Sequence, residues 1–165
     1  MMKILLKRRN GNLIGFLACA GLLAFGYYLQ FAVGLEPCPL CILQRLALLA
    51  VAIAFLIAAI HHPARPLVAG IYGGVITLFA VTGAAVAARH VWIQHLPEDL
   101  RPACGPGLDY MLSTFGPLGS LSRILRGSGE CGKVDWTLLS FSIPEWTLAA
   151  FVALIVWAVF LARRD

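Results

Sequence analysis

Four apolar stretches, each long enough to cross a bilayer as a helix, alternate with polar connections along the chain. They cover residues 11–33, 41–60, 66–88 and 145–162, and within them only Arg45 and the terminal Glu145 are charged. A helix rises about 1.5 Å per residue, so about 20 apolar residues cover the roughly 30 Å hydrocarbon core. In lipid the backbone must satisfy its own hydrogen bonds, so each stretch is expected to be helical. The pattern predicts an all-α fold: one integral membrane domain over residues 1–165, a bundle of four transmembrane helices with a short loop at 34–40 and a long loop at 89–144. The basic start and Ala32-Val33-Gly34 bear a loose likeness to a signal peptide, but the first run is longer than a usual signal core, so it reads as a retained span.

Composition agrees with a membrane protein. Sixty per cent of the 165 residues are hydrophobic and 13% are charged, against about a quarter charged in soluble domains. The net charge of +5 would suit nucleic acid only if it were gathered on one face. Instead the charges fall between the apolar runs, so no nucleic-acid partner is expected; the lipid bilayer is the expected surroundings.

The placement of charge also orients the chain. Lys3, Lys7, Arg8 and Arg9 precede the first span, Arg65 lies between the second and third, and Arg163 and Arg164 stand against Asp165 at the end, a net +6 on one side. In the long loop Arg89, Arg101, Arg123, Arg126 and Lys133 are balanced by Glu98, Asp99, Asp109, Glu130 and Asp135. The positive-inside rule then puts both termini in the cytoplasm and both loops in the periplasm of a bacterial inner membrane. Cys38, Cys41, Cys104 and Cys131 face that oxidising compartment or its membrane edge, while Cys19 lies within the first span.

The strongest local signal is Glu36-Pro37-Cys38-Pro39-Leu40-Cys41-Ile42-Leu43-Gln44-Arg45. A C-x-x-C pair closes into a small reactive disulfide, and the prolines around Cys38 restrict the loop. The apolar run begins at Cys41, which places this thiol in the first turn of the second helix, where unpaired N–H groups and the positive helix end favour a thiolate. Arg45 follows four residues on, along the same face, a fixed cation beside that thiolate. An interfacial arginine can also simply snorkel. The same spacing occurs in metal sites, but a zinc site built from four cysteines would prefer a second close pair, and Cys104 and Cys131 are far apart in sequence, so no metal is expected. Bracing disulfides are the alternative use of periplasmic cysteines, and that reading stays open for Cys104 and Cys131. Haem would need histidines within the spans, and there are none.

Within the long loop, Leu118, Leu121, Ile124 and Leu125 fall on one helical face of residues 117–126, which suits a short helix lying on the membrane surface or packed on the end of the bundle. Trp92, Trp136 and Trp146 fit an interfacial aromatic belt. Gly11, Gly15, Ala18, Gly21, Gly26, Gly70, Gly73, Gly74 and Gly83 offer small residues for close helix packing. Cys19 reads as one more small packing residue.

Taken in order, these motifs resemble the DsbB family of bacterial disulfide-bond formation membrane proteins over essentially the whole chain. The likeness rests on the four spans, Cys38-Pro39-Leu40-Cys41 followed by Gln44-Arg45, His90-Val91-Trp92-Ile93-Gln94, Cys104-Gly105-Pro106-Gly107-Leu108-Asp109, Gly129-Glu130-Cys131, Trp136 and Ile143-Pro144-Glu145-Trp146. The resemblance implies a thiol oxidase that reoxidises DsbA, a periplasmic thioredoxin-fold protein, and passes the electrons to the membrane quinone pool, ubiquinone foremost and menaquinone as the second candidate. It implies that Cys104 takes the mixed disulfide from a Cys104–Cys131 bridge, that Cys131 then engages Cys38, and that Cys41 is left against the quinone. Arg45 and His90 match the family's quinone-associated arginine and histidine. Vitamin K epoxide reductase also joins a membrane C-x-x-C to a quinone, but its pair usually lies near a late helix. A non-catalytic tetraspan scaffold, its disulfides only bracing loops, is the rival of another kind; it has no need of Cys41 and Arg45 at a helix edge.

Overall fold

The computed structural model describes residues 8–63, 65–101, 108–127, 129–134 and 136–164. Five α-helices are described: α1 (Arg8–Phe31), α2 (Pro39–His61), α3 (Pro66–Gln94), α4 (Leu108–Arg126) and α5 (Ile143–Arg163). All but α4 are long and apolar enough to span a membrane, and the protein is an integral membrane protein. Leu17, Ile60, Leu67 and Val156 stand more than half exposed on the outside of the bundle. An apolar exterior of this kind is stable only where lipid covers it.

Local chemistry sets the helix ends. Pro39 begins α2 and Pro66 begins α3, positions where a missing N–H costs nothing. At the other end of α2, His62 turns left-handed (φ 45°) and its N–H caps the Ala58 carbonyl at 3.1 Å. Glu145 accepts from the Ser142 N–H at 2.6 Å and so caps α5. Arg8 donates to the Arg164 carbonyl, and Arg8, Pro63 and Ala162 border one small cavity. Arg8, Arg9, Arg65, Arg163 and Arg164 therefore gather at one end of the bundle; Lys3, Lys7 and Asp165 lie outside the described residues, as does Asp135 of the long loop.

Packing is most extensive between α3 and α5, followed by α1 with α2 and α2 with α3. Cys19, Val51, Phe55, Ile76, Ala80 and Phe151 are fully or nearly fully buried between the helices, Cys19 as a packing residue. Close approach uses only some of the small residues. A Cβ on Gly83 would run into the Phe151 ring, one on Gly15 would sit 2.8 Å from the Phe55 ring, and one on Gly73 would sit 2.5 Å from Ala162 Cβ. Gly21, Gly70 and Gly74 instead face open space, because a glycine on the lipid side of a helix looks the same in sequence. Gly83→Val is expected to lose about 1–3 kcal/mol through overpacking, whereas Gly74→Ala should not destabilise; thermal unfolding in detergent compares the two.

The long connection departs from a simple loop. α3 continues past Ala88 to Gln94, so His90 sits on a helix and is buried. The surface helix expected at 117–126 is the second half of α4, which is broken at Gly116 (φ 66°). Ile124 packs with Leu40, Val86, Ile93 and Cys131, Ser120 is buried and Arg89 donates to the Leu125 carbonyl, while the Leu121 and Leu125 side chains face outward, so this helix docks on the end of the bundle. Before α5 a small antiparallel hairpin pairs β1 (Thr137–Leu138) with β2 (Phe141–Ser142), turning through Leu139 and Ser140, both at positive φ.

Candidate active site

Cys38 is the N-cap of α2, extended at φ −67° and ψ 164°, and its sulfur accepts from the Cys41 N–H at 3.4 Å. Cys41 lies in the first turn of the helix, as its place at the start of the apolar run predicts. The C-x-x-C spacing across this helix start puts the two sulfurs 3.3 Å apart, a short closure from the ~2.05 Å of a disulfide. Both thiols are half-buried.

His90 reaches this pair from α3. Its Nε2 is 3.8 Å from Cys38 Sγ and its Nδ1 is 4.0 Å from Cys41 Sγ. The ring is also hydrogen-bonded at both nitrogens. Nε2 lies 3.1 Å from the Cys131 carbonyl oxygen, which can only accept, so the proton is on Nε2. Nδ1 accepts from the Gln44 amide at 3.1 Å. Gln44 is 4% exposed, a polar side chain within an apolar run. That is the kind of residue that marks function in a span, although its place in the sequence beside Arg45 gives it no role of its own.

Cys131 is buried at the same place, and ligand atoms of Cys38, His90 and Cys131 all lie within 4.8 Å of one another. Zn²⁺ accepts such donors, and exchange between Cys131 and Cys38 requires the same convergence. Cys104 lies outside the described residues.

On the other side of Cys41, a cavity of about 560 Å³ opens between α1, α2, α5 and the hairpin, its wall mostly apolar and carrying Glu36, Cys41, Gln44, Arg45 and Thr147. Arg45 does not reach for water. It donates to Gln30 Oε1 at 2.5 Å and to the Gly26 carbonyl at 2.9 Å, and its guanidinium lies 5.1 Å from the centre of the Tyr27 ring. Trp136 and Trp146 line the same cavity, Trp146 tied by its indole N–H to the Leu138 carbonyl at 3.0 Å, while Trp92 stays exposed. His90 is not on this wall; with Cys38, Cys41 and Gln94 it borders a second, smaller cavity of about 70 Å³.

The larger cavity offers chemistry suited to a flat, apolar acceptor: its wall is mostly apolar, the Cys41 thiol is on it, and the Arg45 guanidinium is held beside it. The sequence matches the family described as Disulfide bond formation protein DsbB over residues 8–161. The chain belongs to the DsbB family. It is similar to the Disulfide bond formation protein B of Methylococcus capsulatus, 54% identical over 88% of each chain. With that of Chromohalobacter salexigens it shares 50% identity over 90% of this chain and 86% of the other. With that of Xanthomonas oryzae it shares 46% over 93% and 91%. As a DsbB family member it is a membrane protein-dithiol:quinone oxidoreductase, which reoxidises DsbA with electrons passed to a quinone.

Proposed function

We propose that electrons run from DsbA to a Cys104–Cys131 disulfide, then to Cys38–Cys41, and then to a quinone in the larger cavity beside Cys41 and Arg45. The observation that carries this reading is the convergence of Cys38 with Cys131 on one side and of Cys41 with Arg45 on the other. A thiolate of DsbA attacks Cys104, forming the mixed disulfide and releasing the Cys131 thiolate. Cys131 attacks Cys38, forming Cys38–Cys131 and releasing Cys41 as a thiolate. The second DsbA thiolate resolves the mixed disulfide, and the freed Cys104 attacks Cys131, restoring Cys104–Cys131 and freeing Cys38. Cys38 and Cys41 then give up two electrons and two protons and close again.

When bound, the quinone accepts those two electrons and two protons. Arg45 supplies the positive charge at that wall, and its bonds to Gln30 and Gly26 hold it still. His90 bears on the acceptor through the thiols, its imidazole lying behind both sulfurs. Exchange between disulfides follows relative potential, each ~30 mV uphill costing about 1.4 kcal/mol, so a lipid-soluble terminal acceptor pulls the whole sequence forward. Ubiquinone is the first acceptor to test and menaquinone the second. The whole chain acts as one domain in the bacterial inner membrane. Its arginine-rich end faces the cytoplasm, and both cysteine pairs work at the periplasmic side, where a thioredoxin-fold DsbA reaches them.

Purified Cys104→Ala tests the order. It should lose quinone reduction driven by reduced DsbA while keeping that driven by dithiothreitol, a small thiol able to reach the inner pair. Oxidation of DsbA by Cys104→Ala at the wild-type rate would refute the relay as ordered.

A further inference from the structure

Three consecutive residues of the long loop, Cys131, Gly132 and Lys133, are gripped by the C-terminal end of α3. His90 Nε2–H donates to the Cys131 carbonyl at 3.1 Å. One turn later, on the same face, Gln94 donates its amide N–H to the Lys133 carbonyl at 3.4 Å. The Gln94 oxygen is used as well, accepting from the Ser142 hydroxyl at 2.8 Å, so both ends of the amide are held. Between these two bonds lies Gly132, buried beneath Arg101, where a Cβ would come within 2.9 Å of Arg101 Cδ. Arg101 is fixed in turn on carbonyls at and just past the end of the helix, donating to Leu96 at 3.0 Å and to Gln94 at 3.4 Å.

We infer that His90, Gln94 and Arg101 form a cradle for residues 131–133 that sets the reach of Cys131 to Cys38, with Gln94 as a positioning residue for transfer between the two cysteine pairs. The inference rests on the proposed passage from Cys131 to Cys38. Attack of one sulfur on another demands near-contact and alignment, and a misplacement of about 1 Å can cost on the order of 10²-fold. Docking of α4 on the bundle end does not by itself fix where Cys131 sits. The cradle instead fixes the backbone on both sides of Gly132 against the same helix that carries His90 to the inner pair. Its bonds are made to main-chain carbonyls, so they can break and re-form as Cys131 swings between its two partners without any change in side-chain chemistry.

The Cys41→Ser variant gives a direct readout. With the inner resolving thiol gone, Cys38 attacks the Cys104–Cys131 disulfide, and the protein divides between Cys38–Cys131 with a Cys104 thiol and Cys104–Cys131 with a Cys38 thiol. No outside oxidant is needed. Acid quenching and mass mapping give the ratio of the two bridges at equilibrium. Adding Gln94→Met, or Gln94→Glu, which keeps an acceptor for Ser142 but has no N–H for Lys133, should shift the ratio about tenfold away from Cys38–Cys131. Gly132→Ala, by displacing Arg101, should shift it the same way. Gln94→Met alone should keep dithiothreitol-driven quinone reduction while slowing DsbA-driven turnover. A ratio unmoved by either Gln94 change, with Cys38–Cys131 present, would overturn the cradle and leave the relay standing. Absence of Cys38–Cys131 even with Gln94 intact would instead refute the relay itself. If Gln94 served only to anchor Ser142 at the start of α5, Gln94→Glu would behave as wild type in this assay.

Discussion

Cys41→Ser is expected to bring quinone reduction to background whether electrons come from DsbA or from dithiothreitol. The serine oxygen keeps the size of the side chain and its place in the first turn of α2, but it cannot close a disulfide with Cys38 or give up electrons as a thiolate. Because the Cys41 sulfur stands 3.3 Å from Cys38 and on the wall of the 560 Å³ cavity, its loss severs the inner pair from the acceptor and leaves the outer steps intact. Quinone absorbance with each donor reads the result. Cys38→Ala should also abolish turnover. Cys19→Ala, which changes a fully buried core thiol away from the site, should retain it. Full activity in Cys41→Ser would remove Cys41 from the last step.

Arg45→Met is expected to lower kcat for quinone reduction on the order of 10²-fold, the scale on which losing one preorganised donor to developing charge is felt in a water-excluded site. Methionine follows the path of the arginine stem and removes only the charge and its donors. Gln30, Gly26 and Tyr27 together hold the guanidinium in place, so little reorganisation is needed when negative charge develops on the acceptor. Arg45→Lys should recover part of the loss, since an ammonium keeps the charge but not the planar fork that meets Gln30 and the Gly26 carbonyl together. Exchange of the inner pair with dithiothreitol should be little changed in either variant. Steady-state kinetics across quinone concentrations give kcat and KM separately, and an unchanged kcat in Arg45→Met would assign Arg45 to structure alone.

The four spans were legible because length and an unbroken apolar run are dictated by the bilayer. Cys41 at a helix start and Arg45 one turn below it followed from the same boundary. Where hydropathy and helicity part company, the pattern misled. The apolar run ends at Ala88, yet α3 goes on to Gln94, because Arg89 can turn outward to the Leu125 carbonyl while His90 is buried by Gln44, Cys131 and the two thiols. The role of Gln44 needed α3 to be folded against α2 before it could be seen. The hairpin at 137–142 was hidden because its turn uses Leu139 and Ser140 at positive φ rather than an Asn-Gly pair. The distance between Cys104 and Cys131 in sequence argued only against a four-cysteine zinc site; that Cys131 meets Cys38 beside His90 depends on the fold, which returns it through the end of α3.

The most direct test of the relay is a single turnover. Oxidised, quinone-loaded wild-type protein is mixed with reduced DsbA, quenched in acid at intervals, and its disulfides mapped while quinol is measured. The relay predicts a DsbA–Cys104 disulfide first, a Cys38–Cys131 disulfide next, and one quinol per DsbA oxidised, formed as the second bridge decays. Quinol that appears at the full rate with no Cys38–Cys131 bridge at any time would contradict it.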